Sequence, residues 1–291
     1  MKFKILSLAL GAAITWGAVA APVPVLPPGP LYIKFDNREQ IATEGTTGFA
    51  FAPGEINWGV LTVSTLNVGA VTGLNVIETT GAPFFTNIVS GGQITGIFYG
   101  IQPLPPGTGG NPFPATSGFL DLYYRDLDVL TATELSTTTP AVRTGLSTAT
   151  GFTEGTLLVR LAFASGINTL SPLVFINGSV VPSSGSGFAG LATSYANVIA
   201  AGGGEYASRL NSDFFVTPFG TRDLRFRNIY EELTQFNGDI SGCGPTAPGN
   251  CVLGARSTDP ATAFVVPEPA SLTLFGLGLL GLVASRRRRK V

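Results

Sequence analysis

An all-β fold is predicted for the body of this chain: a β-sandwich or jelly roll with at most one or two short helices. Three observations predict it. Charged residues make up only 12% of the 291 residues, and the Lys/Glu-rich blocks that build surface helices are missing. Glycine (38) and proline (21) punctuate the chain at short intervals, as expected for many turns. Between these breaks, apolar and polar residues alternate with period two, the spacing of a strand with one buried face. No fixed-period repeat is visible, which counts against a solenoid or β-helix. A chain of this length can bury one large core, so residues 31–263 are read as a single β-rich domain.

The chain opens with an export signal. Lys2 and Lys4 form a positive n-region and Ile5 to Val19 an apolar h-region. Ala18-Val19-Ala20 is a small-residue cleavage site, so residues 1–20 read as a signal peptide and Ala21 as the mature N-terminus. Residues 21–30 are a Pro-rich leader of polyproline II character, a flexible or surface-hugging start. Leu31 to Phe35 is the first strand, with Leu31, Ile33 and Phe35 on one face. Asp36-Asn37-Arg38-Glu39 reads as the turn that ends it. Trp58 to Leu66 alternates next, with Leu61 and Val63 opposite Val60 and Thr62. Gly73 to Thr79 and Ile94 to Ile101 follow, divided by turns at Gly81-Ala82-Pro83 and Ser90-Gly91-Gly92. Residues 102–118 form a long Pro/Gly excursion between strands. Phe119 to Tyr124 resumes a strand, with Leu120, Leu122 and Tyr124 on one face. Leu157 to Phe163 is the clearest core strand, with Arg160 pointing out. Leu173 to Ile176 ends in Asn177-Gly178, a type I′ hairpin signature leading into Ser179-Val180-Val181. Within Gly187 to Ala201, Leu191, Tyr195, Val198 and Ile199 stand at i, i+4, i+7 and i+8. That spacing predicts a short helix ending at Gly202-Gly203-Gly204. Arg222 to Ile229 returns to alternation, Leu224 and Phe226 against Asp223, Arg225 and Arg227.

Charge and composition exclude several functions. Seven of the 17 cations lie in the two ends, which leaves 10 against 18 acids and a net charge of −8 for residues 21–285. An acidic body argues against nucleic acid as a partner. The chain has no histidine, so Ser-His-Asp and Cys-His catalysis and an ordinary zinc site are excluded. Cys243 and Cys251 are the only cysteines. In an exported chain they read as a disulfide, closing a small loop worth about 2 kcal/mol. A calcium site would draw on Asp121, Asp126 and Asp128, although Leu122, Tyr123, Tyr124 and Leu127 interrupt the acids; a solvated turn is the simpler reading. Glycoside hydrolysis needs two opposed carboxylates, and the sequence nominates no pair. Trp58, Tyr99, Tyr123, Tyr124, Tyr195 and Tyr206 could stack on sugar rings. The row Asp223, Arg225, Arg227 could face an acidic polysaccharide, or simply water. No catalytic residue, metal or cofactor is assigned, and the chain is read as a non-enzyme.

The C-terminus, residues 264–291, is the most specific stretch. Val266, Pro267, Glu268 and Pro269 form a rigid extended step, since each proline fixes its own φ and biases its predecessor. Leu272, Leu274, Phe275, Leu277, Leu279, Leu280, Leu282 and Val283 then make a short apolar helix. It falls below the roughly 20 residues of a full span, a shortfall that tilt and snorkelling can cover. Arg286, Arg287, Arg288, Arg289 and Lys290 form a basic stop that favours a cytoplasmic end. This order resembles the PEP-CTERM sorting signal of exported proteins of Gram-negative bacteria. The resemblance implies Sec export, transient insertion in the inner membrane and recognition by an exosortase. Cleavage near Pro-Glu-Pro and delivery to the cell surface or extracellular matrix would follow. Such tails are alike while the bodies differ, so a destination is implied and not an activity. The expectation is a structural or interaction protein associated with exopolysaccharide or biofilm. The alternatives are a carbohydrate-binding module or, further off, a carboxylate-based hydrolase.

Overall fold

The computed structural model describes residues 23–42, 54–127, 134–137, 143–182, 188–233 and 252–267. The signal peptide, Asp128, Cys243, Cys251 and the apolar and basic parts of the tail lie outside these residues. The strands, in chain order, are β1 (Gly29–Ala42), β2 (Asn57–Gly73), β3 (Val76–Thr86), β4 (Gly92–Pro103), β5 (Phe113–Thr116), β6 (Phe119–Asp126), β7 (Arg143–Gly145) and β8 (Thr148–Ala149). They continue with β9 (Thr156–Ala164), β10 (Ile176–Pro182), β11 (Phe188–Val198), β12 (Phe215–Thr217), β13 (Gly220–Arg222), β14 (Leu224–Leu233) and β15 (Val252–Val265). One helical turn, α1 (Ala207–Leu210), precedes β12.

The fold is all-β, as the alternation predicted. Eight strands pair antiparallel in chain order, β1 with β2, then β4, β6, β9, β11, β14 and β15, and β15 pairs back with β1. The sheet therefore closes on itself as an up-and-down barrel rather than splitting into the two packed sheets of a sandwich or jelly roll. Closure satisfies both edges of a sheet whose inner face carries apolar residues on every wall strand. One exchange keeps the wall complete. β11 pairs with β9 through Tyr195–Val198 but with β10 through Phe188–Ser194. β10 in turn pairs with β5, and β5 with the end of β4, so β10 and β5 replace β9 and β6 at that end.

The inward residues are largely those that the alternation assigned: Leu31, Ile33 and Phe35, Leu61 and Val63, Leu120 and Leu122, Val159 and Leu161, Leu224 and Phe226. Two inward glycines make room for rings. A Cβ at Gly59 would stand 2.5 Å from Phe98 Cζ, and one at Gly92 would stand 2.4 Å from Tyr124 Cζ. Leu26, Ala207 and Leu210 close one end of the barrel. The Pro-rich leader thus contributes a buried plug, since Leu26 is 2% exposed.

Several local expectations are corrected. β1 does not end at residues 36–39. Its inward Asn37 accepts hydrogen bonds from the Ser257 amide (2.7 Å) and hydroxyl, and outward Asp36 meets Arg256 at 2.6 Å. Tertiary partners thus override turn-forming residues. The helix expected within residues 187–201 is strand β11. Ser194, Tyr195 and Ala196 are buried on both faces, so strict alternation is lost and the pattern mimics helical spacing. Asn177-Gly178 lies inside β10, opposite Thr193 and Ala192, rather than at a hairpin turn. The 73–79 stretch straddles the β2–β3 turn, and Gly81-Ala82-Pro83 sits within β3.

Excursions decorate the wall. Phe152 and Ala149 pack over Trp58, Val60, Ile97 and Tyr99, covering the outer face of β2 and β4. The β2–β3 hairpin leaves the barrel as an arm: β2 pairs with β4 only to Val63 and with β1 only to Val68. Its tip docks through Asn75, which donates to Val216 O (2.6 Å) and accepts from Val216 N (2.8 Å).

Candidate sorting site and buried polar clusters

The exit of the C-terminal tail is built by α1 and the leader. Gly204 (φ +91°) lets the chain pass within 2.6 Å, at Cβ level, of the Leu157 and Leu158 carbonyls, a position closed to any larger residue. The turn it starts places Arg209 against both the leader and the last residues of β15, at one end of the barrel. Val266 N donates to Arg209 O (2.7 Å), and Arg209 Nε returns a bond to Val266 O (3.2 Å). Arg209 Nη2 also donates to Leu26 O (2.6 Å), and the Tyr206 hydroxyl donates to Pro24 O. Burial pushes the Tyr206 phenol well above its usual range. Val265 is fully buried, Val266 is half-buried and Pro267 is exposed. The last wall strand is therefore complete where the Pro-Glu-Pro step begins.

The family model for the PEP-CTERM protein-sorting motif matches residues 265–289. The tail is a PEP-CTERM sorting motif. The match is confined to this segment and leaves the barrel unassigned. No curated protein and no solved structure matches the chain. The PEP-CTERM motif makes this an exported protein sorted by an exosortase. Of its parts, the structure places Val266 and Pro267 at the exit; Glu268, Pro269, the apolar run and the basic stop lie beyond the described residues.

The remaining sequence candidates are dispersed. Asp121 is fully buried and faces Arg160, which reaches it with Nε (3.0 and 3.1 Å) and Nη2 (2.9 Å). Asp126 lies an odd number of strand positions away, hence on the opposite face. No group of three potential metal ligands stands together among the described residues. Of the six aromatic candidates, Trp58, Tyr99, Tyr124, Tyr195 and Tyr206 are buried, and Tyr123 is half-buried. Tyr99 donates to Asp121 across 3.5 Å; burial, then the Asp121 charge, lift its phenol to about 12. The Asp223 row does not form an open charged stripe. Asp223 is buried and accepts from the amides of Val198 (2.8 Å), Ser212 (2.7 Å) and Asp213 (2.8 Å), while Arg225 donates to Asn75 O.

Three groups were not singled out from sequence. Arg209 forms the clasp just described. Arg143 grips Glu55 with Nη1 (2.6 Å) and Nη2 (3.0 Å) and lies 5.1 Å from the centroid of the Trp58 ring. Glu39, deep in the barrel at the end away from α1, accepts from Asn57 (2.6 Å); burial raises its carboxyl above the usual range, the Asn57 bond opposing. None carries a local sequence signature, because each partner lies on another strand or loop.

Proposed function

We propose that this is a non-catalytic structural or interaction protein of the cell surface or extracellular matrix, released when an exosortase removes its tail. The boundary between barrel and tail carries this reading. β15 is clasped through Val266, and the chain reaches solvent at Pro267. A handle that is to be cut off must leave the cargo folded, and the chain has left the core by Pro267, at the start of the Pro-Glu-Pro step. An exopolysaccharide matrix suits the cargo, whose acidic, His-free surface favours solubility over nucleic acid or anionic lipid. The buried carboxylates Asp121 and Glu55 are each occupied by an arginine, as structural ion pairs are. Five of the six aromatic residues that a sugar-stacking platform would need are buried, and Tyr123 is half-buried.

Expression with a functional exosortase tests the reading. Mass spectrometry of the released protein should give an N-terminus at Ala21 and a C-terminus close to Pro-Glu-Pro. Deleting residues 267–291 should abolish this processing and leave the thermal melting of the body unchanged. Released protein that retains the whole tail, or a truncated body that fails to fold, overturns it.

A further inference from the structure

The sorting reading leaves the β2–β3 arm without a role. Among the described residues β3 pairs with β2 alone, so its outer edge has no strand beside it, whereas the barrel wall is closed; the β2–β3 register shifts midway, with Thr80 to Ala82 standing opposite Val68 and Gly81 O accepting from Asn67 Nδ2 (2.9 Å). Seven consecutive residues, Glu78 to Phe84, are exposed. Large apolar side chains stand out around them: Val68 (42% exposed), Val71 (48%), Leu74 (81%) and Phe84 (37%). From Asn67 to Val89 the chain carries one charge, Glu78. An unpaired edge of this kind is a template for another strand, and exposed apolar clusters mark interaction surfaces.

We infer that the outer edge of β3 pairs antiparallel with the same edge of a second copy, about a two-fold axis at Gly81. The charge distribution selects this occupant. Two bodies of strongly acidic net charge repel one another over most of their surfaces, and the arm is the place where they can meet almost without charge. A two-fold axis at Gly81 sets Thr80 opposite Ala82 and Glu78 opposite Phe84. The two Glu78 carboxylates then stand about 20 Å apart along the strands instead of facing each other. Such an interface is isologous and uses up the free edge, so assembly stops at the dimer. Pro83 lacks an amide hydrogen, Glu78 brings charge and the register shift at Thr80 to Ala82 bends the edge, so the ladder is held to a short window and the dimer dissociates reversibly.

Sedimentation equilibrium of the exosortase-processed protein tests this directly, with dimer expected at concentrations of tens of micromolar. The double substitution Thr80→Lys with Ala82→Lys sets like charges across the pairing and should raise the dissociation constant at least about tenfold, with the circular dichroism of the monomer unchanged although the exposed bond from Thr80 Oγ1 to Val68 O (3.1 Å) is lost. Gly81→Cys supplies an independent reading. A Cβ there meets nothing within 4 Å, and directly opposed residues of an antiparallel pair lie within disulfide reach. Mild oxidation should give a covalent dimer that the unsubstituted protein does not form. A monomer at every concentration overturns the inference. So does a dimer that tolerates the two lysines and resists cross-linking through Gly81→Cys. Dimerisation concerns the body alone, so its failure leaves the sorting reading standing.

Discussion

At the scale of single residues, the buried charges divide into paired and neutralised groups. Glu39 belongs to the second kind. Its carboxyl has a folded-state pKa raised by burial, so the native state holds a proton that the unfolded chain releases first. Stability then falls as pH rises from the ordinary glutamate range up to the raised value. Glu39→Gln keeps an acceptor for Asn57 and removes the ionisation. The variant should match the unsubstituted protein near pH 4 and exceed it near pH 8 in thermal melting; a parallel pH dependence of the two would refute the assignment. Arg160 belongs to the first kind, and its hydrogen bonds to Asp121 raise its pKa still further. Its side chain is 36% exposed while Asp121 is fully buried. Arg160→Met should therefore strand the aspartate and cost about 3 kcal/mol in urea denaturation. Asp121→Asn in the same background should recover part of that loss, because the stranded charge is gone.

Individual elements show where small residues govern packing. The ring of Phe98 on β4 lies over Gly59 on β2, and a methyl group there would also come within 2.3 Å of the Arg38 carbonyl. Since a backbone oxygen cannot swing aside, Gly59→Ala should destabilise by at least about 2 kcal/mol, read from the urea midpoint. The one-turn α1 is too short to be stable alone. Its place is fixed by tertiary bonds, Arg209 to Leu26 O and Val266, and Tyr206 to Pro24 O. The β2–β3 arm is likewise pinned at its tip by Asn75, with Ile77 packed against Tyr195 and Phe215.

For the whole molecule, closure of the barrel is the organising fact. Each wall strand has two neighbours, so removing one opens two edges at once. Truncation before β15, deleting residues 252–291, should yield aggregated protein, whereas deletion of residues 267–291 should leave a soluble body. Comparing the two by size-exclusion chromatography and far-ultraviolet circular dichroism checks this. Equal behaviour of the two truncations would mean that β15 is dispensable to the wall.

The sequence alone determined the fold class, most inward positions and the sorting tail. Period-two alternation at Leu31-Ile33-Phe35 or Leu120-Leu122 is a local consequence of burying one face, and the Pro-Glu-Pro, apolar and basic run is local chemistry too. Tertiary structure decided the rest. Asp36 to Glu39 stayed in a strand because Ser257, Arg256 and Asn57 answer them from other strands. β11 lost its alternation because both its faces are covered. The Asp121–Arg160 and Glu55–Arg143 pairs and the clasp at Val266 join residues 39, 88 and 57 positions apart. Barrel against sandwich was settled by the pairing of the first strand with the last, a contact between the two ends of the body that no window of sequence contains.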